Sequence, residues 1–316
     1  MPERKELCAE SVEHCKEKII LWGSGNIGNK AYEKLKENYD VVAFGDNDIY
    51  RQGLSYKGIP IIGYKELEEK YKGFKVIVAL ADYYDEAQKL SSLGYAVMGY
   101  YDAVQEKIFP WKKISWDDVK KKTKVRLYAG DIYSNFEHYP DDFIICLSLT
   151  NSNYRCIQHD ITMPYPLESN SIDSYQIEDV IEHIEFGKTL HVLNEIYRIL
   201  KAGGYLRLSL PDYHSPRLLY RSLLDREGKP VYDPGGGGRY VRGKVCEGGH
   251  VWFPTFEMVK GLLEWSDFKN YRFYRYYDEL GYSFAETIDY DMGYISRTKE
   301  HTVYGQDTSI VVDCYK

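Results

Sequence analysis

Ile172-Asp173-Ser174-Tyr175-Gln176-Ile177-Glu178-Asp179-Val180-Ile181-Glu182-His183-Ile184, followed by Asn194-Glu195-Ile196-Tyr197-Arg198-Ile199-Leu200-Lys201-Ala202-Gly203-Gly204, decides how the second half of this 316-residue chain folds. Residues 172–177 read as a buried strand. The apolar stripe Leu190, Leu193, Ile196, Tyr197 and Leu200 then recurs with the 3.6-residue period of an amphipathic helix. Gly203-Gly204 predicts its end, and residues 205–210 read as the next strand. Working backward, residues 124–129 form a strand running into Gly130, with further strands at 143–149 and 154–158. Working forward, residues 255–265 read as a helix and 271–276 and 309–315 as strands. Strands alternating with helices predict a largely parallel sheet covered by helices.

The first half repeats this rhythm on its own account. Residues 18–22 form a short apolar run, followed by Gly23-Ser24-Gly25-Asn26-Ile27-Gly28 and a helical stretch with Ile27, Ala31 and Leu35 on one face. Residues 40–44 are a second strand ending in Gly45-Asp46-Asn47-Asp48. Gly58-Ile59-Pro60-Ile61-Ile62 reads as an edge strand, because Pro60 cannot donate to a ladder. A helix (65–71), a strand (75–80), a helix (83–93) and a strand (95–100) complete the unit. A glycine turn between strand and helix lets a phosphate approach the helix N-terminus, and an acid about 20 residues on suits ribose hydroxyls. Gly23, Ser24, Gly25, Asn26, Ile27, Gly28, Asp46 and Asn47 are therefore the nucleotide-binding candidates. Residues 110–123 break the rhythm and read as a linker helix that Ser115 caps, ending in Lys120-Lys121-Lys122. The domains are thus 1–109 and 124–316.

Composition narrows the function. With 41 basic against 48 acidic residues and a net charge of −7, the chain has no basic surface for nucleic acid. No apolar run approaches the ~20 residues of a membrane span, and the charged start has no signal core. Cys8, Cys15, Cys146, Cys156, Cys246 and Cys314 form no Cys-x-x-Cys pair, so neither a metal site nor a disulfide framework is expected. These features predict a cytoplasmic, reduced protein. Its 32 tyrosines are densest in residues 211–316, where Tyr271, Tyr274, Tyr276, Tyr277 and Tyr282 crowd one segment. An amphipathic ring suits an acceptor surface or a homo-oligomer interface.

His159-Asp160-Ile161, Pro164-x-Pro166-Leu167-x-Ser169-Asn170-Ser171-Ile172-Asp173, Val180-Ile181-Glu182-His183-Ile184 and Arg198-Ile199-Leu200-Lys201-Ala202-Gly203-Gly204 together resemble the class I S-adenosylmethionine-dependent methyltransferases of the type 11 kind. The resemblance covers about residues 124–212. It implies an α/β protein of two Rossmann-like domains, the second a methyltransferase fold with a mostly parallel sheet and an antiparallel terminal strand. It implies S-adenosyl-L-methionine as cofactor, with Gly130, Ser148, Asp160, Ile161, Glu178 and Asp179 around it. Asp160 falls where that family places its adenine-contacting acid. The glycine loop departs from the family pattern: Leu127-Tyr128-Ala129-Gly130-Asp131-Ile132 keeps only Gly130. At the end of the second strand, Ser148 stands where a ribose-gripping acid is expected.

Phe44-Gly45-Asp46-Asn47-Asp48 and Gly58-Ile59-Pro60-Ile61-Ile62, with the glycine turn, resemble the small Rossmann-like N-terminal domain of bacillosamine-type sugar acetyltransferases. That likeness implies a nucleotide-linked sugar as the first domain's ligand. The expected activity is methylation of a sugar or nucleotide-sugar in surface-glycan synthesis. His183 and His250 are the candidate bases and Tyr213, His214 and Arg239 the candidate substrate contacts. Gly235-Gly236-Gly237-Gly238 reads as a mobile loop. Two other functions fit the residues: a methyltransferase fold that binds without cofactor, and a nicotinamide-dependent sugar oxidoreductase.

Overall fold

The computed structural model describes residues 16–130, 132, 138–139, 143–298 and 308–316. It divides into two compact units, Met1–Lys112 and Lys113–Lys316.

In the first unit, buried aliphatic runs make the strands and charged amphipathic stretches the helices. These are β1 (Glu17–Trp22), α1 (Asn26–Leu35), β2 (Tyr39–Gly45), β3 (Ser55–Tyr56), β4 (Ile59–Ile62), α2 (Tyr64–Lys70), β5 (Lys75–Val78), α3 (Tyr83–Ser92), β6 (Val97–Asp102) and β7 (Lys107–Phe109). They form one sheet of order β3-β4-β2-β1-β5-β6-β7. β4 is not the edge strand the sequence predicts, because the two-residue β3 pairs Ser55 with Pro60 and covers it. Pro60 is tolerated there because its neighbour Ile61 supplies the donor, to Leu54 O at 2.8 Å. The glycine turn is dictated by contact: a Cβ on Gly28 would stand 1.8 Å from Gly23 O.

The second unit contains α4 (Trp116–Lys120), β8 (Arg126–Ala129), β9 (Ile144–Ser148), β10 (Cys156–Gln158), β11 (Ile172–Glu178), α5 (Phe186–Ile199), β12 (Leu200–Pro211) and α6 (Pro216–Arg221). Two hairpins follow, β13 (Leu223–Leu224) with β14 (Pro230–Tyr232) and β15 (Arg239–Val241) with β16 (Lys244–Cys246). α7 (Phe256–Trp265), β17 (Asn270–Tyr277), β18 (Ser283–Ala285) and β19 (Ser309–Tyr315) complete it. The main sheet runs β10-β9-β8-β11-β12-β19-β17-β18. β8 to β12 are mutually parallel, and β19 is antiparallel to β12 and β17. This is the expected α/β fold with its antiparallel terminal strand.

Several details differ from the sequence reading. The segment expected as a linker carries α4, with Ser115 capping it in a reciprocal box with Asp118. It belongs to the second unit, since Val119 is buried in that unit's core. α5 ends at Ile199, before Gly203-Gly204, because Leu200 is already extended and pairs with Ile172. The segment Gly235–Gly238 is not a free loop. A Cβ on Gly236 would meet the His250 ring at 2.6 Å, and one on Gly238 would meet Cys246 O at 2.4 Å. The glycines let this chain lie directly against residues 246–250.

Several tyrosines serve the interior. Tyr128, Tyr139, Tyr165, Tyr175, Tyr213 and Tyr274 are all buried. In the crowded segment, Tyr276 stacks between Phe256 (3.9 Å) and Phe284 (4.8 Å) rather than presenting a free face. One face of the sheet is stitched to residues 289–298 by polar side chains. Gln176 Nε2 donates to Tyr294 O at 2.6 Å and Tyr205 hydroxyl to Met292 O at 2.6 Å. Among the described residues, no helix is long and apolar enough to cross a membrane.

Candidate functional site

β8 and β11 are sheet neighbours although β9 and β10 intervene in sequence, so the chain reverses its direction of travel across the sheet between them. Ligands of open α/β sheets bind at such a switch, beyond the strands' carboxyl ends. A cleft of about 590 Å³ lies there, and Gly130, Ser148, Asp160, Ile161, Asp179 and His183 all line it. Six residues singled out by sequence therefore converge on one cavity of ordinary small-molecule size.

Gly130 has φ +147°, and a Cβ would meet the Tyr128 ring at 2.8 Å and Glu178 O at 3.1 Å. Only glycine fits this first turn; Asp131 lies outside the described residues. Ser148 ends β9, and its Oγ accepts Thr150 N–H at 3.2 Å and Asn151 N–H at 3.1 Å. Its own proton remains to be donated. Asp160 is exposed and uses Oδ1 to accept Thr162 N–H at 2.9 Å and the Thr162 hydroxyl at 2.8 Å. Ile161 is buried against the core. Asp179 holds φ +52°, a sparsely populated conformation for a residue with a Cβ. Asp179 and His183 both line the cleft, and a single 3₁₀ turn, Ile181–His183, carries the histidine.

Glu178 is a correction. It lies on the same sheet face as Ser174 and Gln176, and is buried away from the cleft lining. Its carboxylate accepts the Tyr128 hydroxyl at 2.9 Å, Ser296 N–H at 2.7 Å and Ser296 Oγ–H at 2.6 Å. Burial and the Glu178 charge raise the Tyr128 phenol and hold it as a donor. Glu178 thus anchors residues 289–298.

Beside the cleft lies a buried polar chain that sequence reasoning did not assemble. His250 is 3% exposed, and its Nδ1 stands 2.6 Å from the Tyr213 hydroxyl. That hydroxyl donates to Asp233 Oδ2 at 2.6 Å, and Arg221 grips the same carboxylate through Nε (2.8 Å) and Nη2 (2.6 Å). Burial opposes ionisation of Asp233, but Arg221, Tyr213 and Gly235 N–H outweigh it and lower the carboxyl. On the other side, His250 Nε2 is 3.6 Å from Glu182 Oε1, and the His183 and His250 rings are 4.7 Å apart. His183 Nδ1 is buried with no hydrogen-bond partner. Tyr213, expected to touch substrate, is buried and positions His250 instead. His214 lies 3.4 Å from Glu257. Arg239, expected to touch substrate, is paired with Glu247 beside the β15–β16 hairpin.

Cys146, Cys156, Asn151 and His159 also line the cleft. Burial lowers the His159 imidazole and keeps it neutral. Asn151 lies three residues past the end of β9, and that closeness to a strand end is the signal that would have found it.

Asp212, just past β12, is fully buried, and burial pushes its carboxyl up to about 6 against N–H donors from His214 (3.0 Å) and Tyr277 (2.6 Å). A raised carboxyl favours the folded protein when protonated, so its contribution is complete below about pH 4 and is lost as pH rises through about 6. Two units correspond to about 3 kcal/mol. Urea unfolding of Asp212→Asn is expected to show a flatter pH dependence from 4 to 6 than the unsubstituted chain; identical slopes would remove Asp212 from the account.

In the first unit, Asp46 accepts Ser24 N–H (3.0 Å), the Ser24 hydroxyl and Asp48 N–H (2.9 Å). Burial resists ionisation, but these donors and Arg51 lower its carboxyl. Arg51 Nη1 donates to Ser24 Oγ at 3.2 Å and lies 3.7 Å from where a Cβ on Gly25 would stand. Asn26 opens α1 and Ile27 packs on the core. Asn47 turns away to Glu86 at 2.6 Å. The turn has nucleotide-binding form, but its acid is engaged internally.

Residues 119–208 match the family model described as a methyltransferase domain, and residues 15–97 match one described as C2185-like, N-terminal. The acetyltransferase likeness of the first unit is not confirmed by that match. No curated protein matches the chain. Among solved structures it is similar to a SAM-dependent methyltransferase from Thermotoga maritima, at 16% identity over 63% of this chain and 85% of that one, with TM-score 0.37. One from Archaeoglobus fulgidus is 14% identical over 64% and 90%, with TM-score 0.37. UDP-D-quinovosamine 4-dehydrogenase from Vibrio fischeri is 23% identical over 33% and 98%, with TM-score 0.26. All three superpose weakly. The methyltransferase-domain match, falling on the strands that build the cleft, supports S-adenosyl-L-methionine as the cofactor of the second unit.

Proposed function

We propose that the second unit transfers a methyl group from S-adenosyl-L-methionine to a hydroxyl of a sugar or nucleotide-linked sugar in surface-glycan synthesis. The observation that carries methyl transfer is the convergence of Gly130, Ser148, Asp160 and Ile161 on one cleft that His183 also lines. The residues fit the cofactor. Gly130 would offer bare backbone to the methionine end, Ser148 and Asn151 polar groups to the ribose, Asp160 an acceptor for adenine N6 and Ile161 an apolar contact for the ring. Bound there, the cofactor supplies an electrophilic methyl on sulfur. His183 takes the acceptor's proton as the oxygen attacks, and Asp179 orients the acceptor. His250 is a positioning residue, held by Tyr213, Asp233 and Arg221. The sugar assignment rests on the first unit's glycine turn with Asp46 and on the sequence resemblance of residues 18–101.

Calorimetry with S-adenosylhomocysteine tests the cofactor. Binding near a Kd of about 10 µM is expected, with thermal stabilisation that grows with ligand concentration. No heat and no shift at millimolar ligand would sink the methyltransferase reading and favour the cofactor-less binding protein. That second reading has one observation behind it: a serine rather than an acid ends β9. Labelled methyl transfer to a panel of UDP-sugars tests the acceptor class.

A further inference from the structure

The geometry points to a divalent transition-metal site formed by Glu182, His183 and His250 at the wall of the cleft. One ligand atom from each lies within 4.8 Å of the others, Glu182 and His250 are buried and His183 is half-buried. Two imidazoles and a carboxylate form a donor set suited to zinc, or to iron(II) or nickel(II).

The geometry of the three side chains makes the case. The Tyr213 hydroxyl has one proton, and it goes to Asp233 at 2.6 Å, a carboxylate already held by Arg221 and Gly235 N–H. The Tyr213 oxygen must then accept from His250, 2.6 Å away, which fixes the proton on Nδ1. In the neutral ring, Nε2 points a lone pair at Glu182 Oε1, 3.6 Å distant. That separation leaves room for an ion that both atoms would ligate. A proton would draw an imidazolium–carboxylate pair to about 2.7–2.9 Å. Two ligand atoms about 2.1 Å from one tetrahedral ion stand roughly 3.4 Å apart, much closer to what is seen. His183 Nδ1 supplies the third donor, buried and without a hydrogen-bond partner.

The surroundings are those of a metal ligand. The chain His250–Tyr213–Asp233–Arg221 is the outer-shell relay that fixes a ligand's tautomer and orientation. Gly236 seats the ring from the other side, since any side chain there would strike it. His183 lines the cleft, so the position not taken by protein opens toward it. Water or the acceptor's own hydroxyl completes the shell. An ion held there would make both imidazoles neutral ligands, so that His183 could act as base only in the metal-free protein.

The site does not depend on methyl transfer, and its test reads metal alone. Full-length protein carrying Cys246→Ser, to remove the one thiol that is exposed among the described residues, is stripped with chelator and titrated calorimetrically with zinc and with nickel(II). One ion per chain is expected, with a Kd tighter than about 10 µM. Glu182→Gln and His183→Gln, which keep size and polarity, should each weaken it at least about 100-fold, and Tyr213→Phe about 10–100-fold. Circular dichroism confirms that each variant is folded. Absence of uptake by the unsubstituted cluster, or equal uptake by Glu182→Gln and His183→Gln, overturns the site. Either result leaves S-adenosylhomocysteine binding to be judged separately.

Discussion

Asp313→Ala is expected to cost the second unit about 3–5 kcal/mol of stability, the usual penalty for stranding one member of a buried ion pair. Asp313 on β19 and Arg207 on β12 are register partners, and both are fully buried. Their contact is bidentate, Nε to Oδ1 at 2.8 Å and Nη2 to Oδ2 at 2.7 Å. Arg207 Nη1 also donates to Asp289 O at 2.6 Å and Gly293 O at 2.7 Å. Burial favours a neutral guanidinium, but Asp313 overrides it and raises the group, so the charge stays. Without Asp313 that charge has no counterion, and its hold on the segment over the sheet weakens. Urea unfolding monitored by circular dichroism measures the loss. Arg207→Leu/Asp313→Leu should be less damaging than the two single losses summed, because no lone charge remains. A drop below about 1 kcal/mol for Asp313→Ala would show that the pair does not carry the β12–β19 seam.

That seam shows what the sequence can and cannot reveal. β19 is visible as a short, largely apolar run, and its bounds, Ser309–Tyr315, agree with the sequence reading. Its position between β12 and β17 is not, because pairing order depends on contacts more than 30 residues apart. The cleft residues were legible because each follows a strand end, and strand ends in an open α/β sheet gather on one side. Glu178 was misplaced for the same reason. Sequence puts it at a strand end, but Ser174, Gln176 and Glu178 alternate on the face that residues 289–298 cover. That segment has no periodic pattern to announce it. The chain from Arg221 to Glu182 was invisible as a unit: its members come from five places between 182 and 250. The tight contacts at Gly235, Gly236 and Gly238 explain why a glycine run lies among them.

His183→Ala should slow methyl transfer about 10²–10⁴-fold, equivalent to about 3–5.5 kcal/mol of barrier. Of the two histidines, His183 is the one that lines the cleft, whereas His250 stands behind it, hydrogen-bonded through Nδ1 to Tyr213. Its Nδ1 is buried and has no hydrogen-bond partner among the described residues, which leaves its lone pair to take a proton that reaches it. Gly130, Ser148, Asp160 and Ile161 lie on other elements, so affinity for S-adenosylhomocysteine should change less than threefold. The loss then falls on kcat rather than on cofactor binding, the signature of an interaction made at the transition state. Single-turnover transfer from labelled cofactor, with calorimetry on the same preparation, separates the two terms. If the variant turns over within threefold of the unsubstituted chain, His183 has no chemical role. If cofactor affinity collapses with rate, the ring only shapes the cleft. Added imidazole distinguishes the remaining cases, because a diffusible base restores part of the rate when His183 removes a proton, whereas a lost metal ligand needs added ion as well.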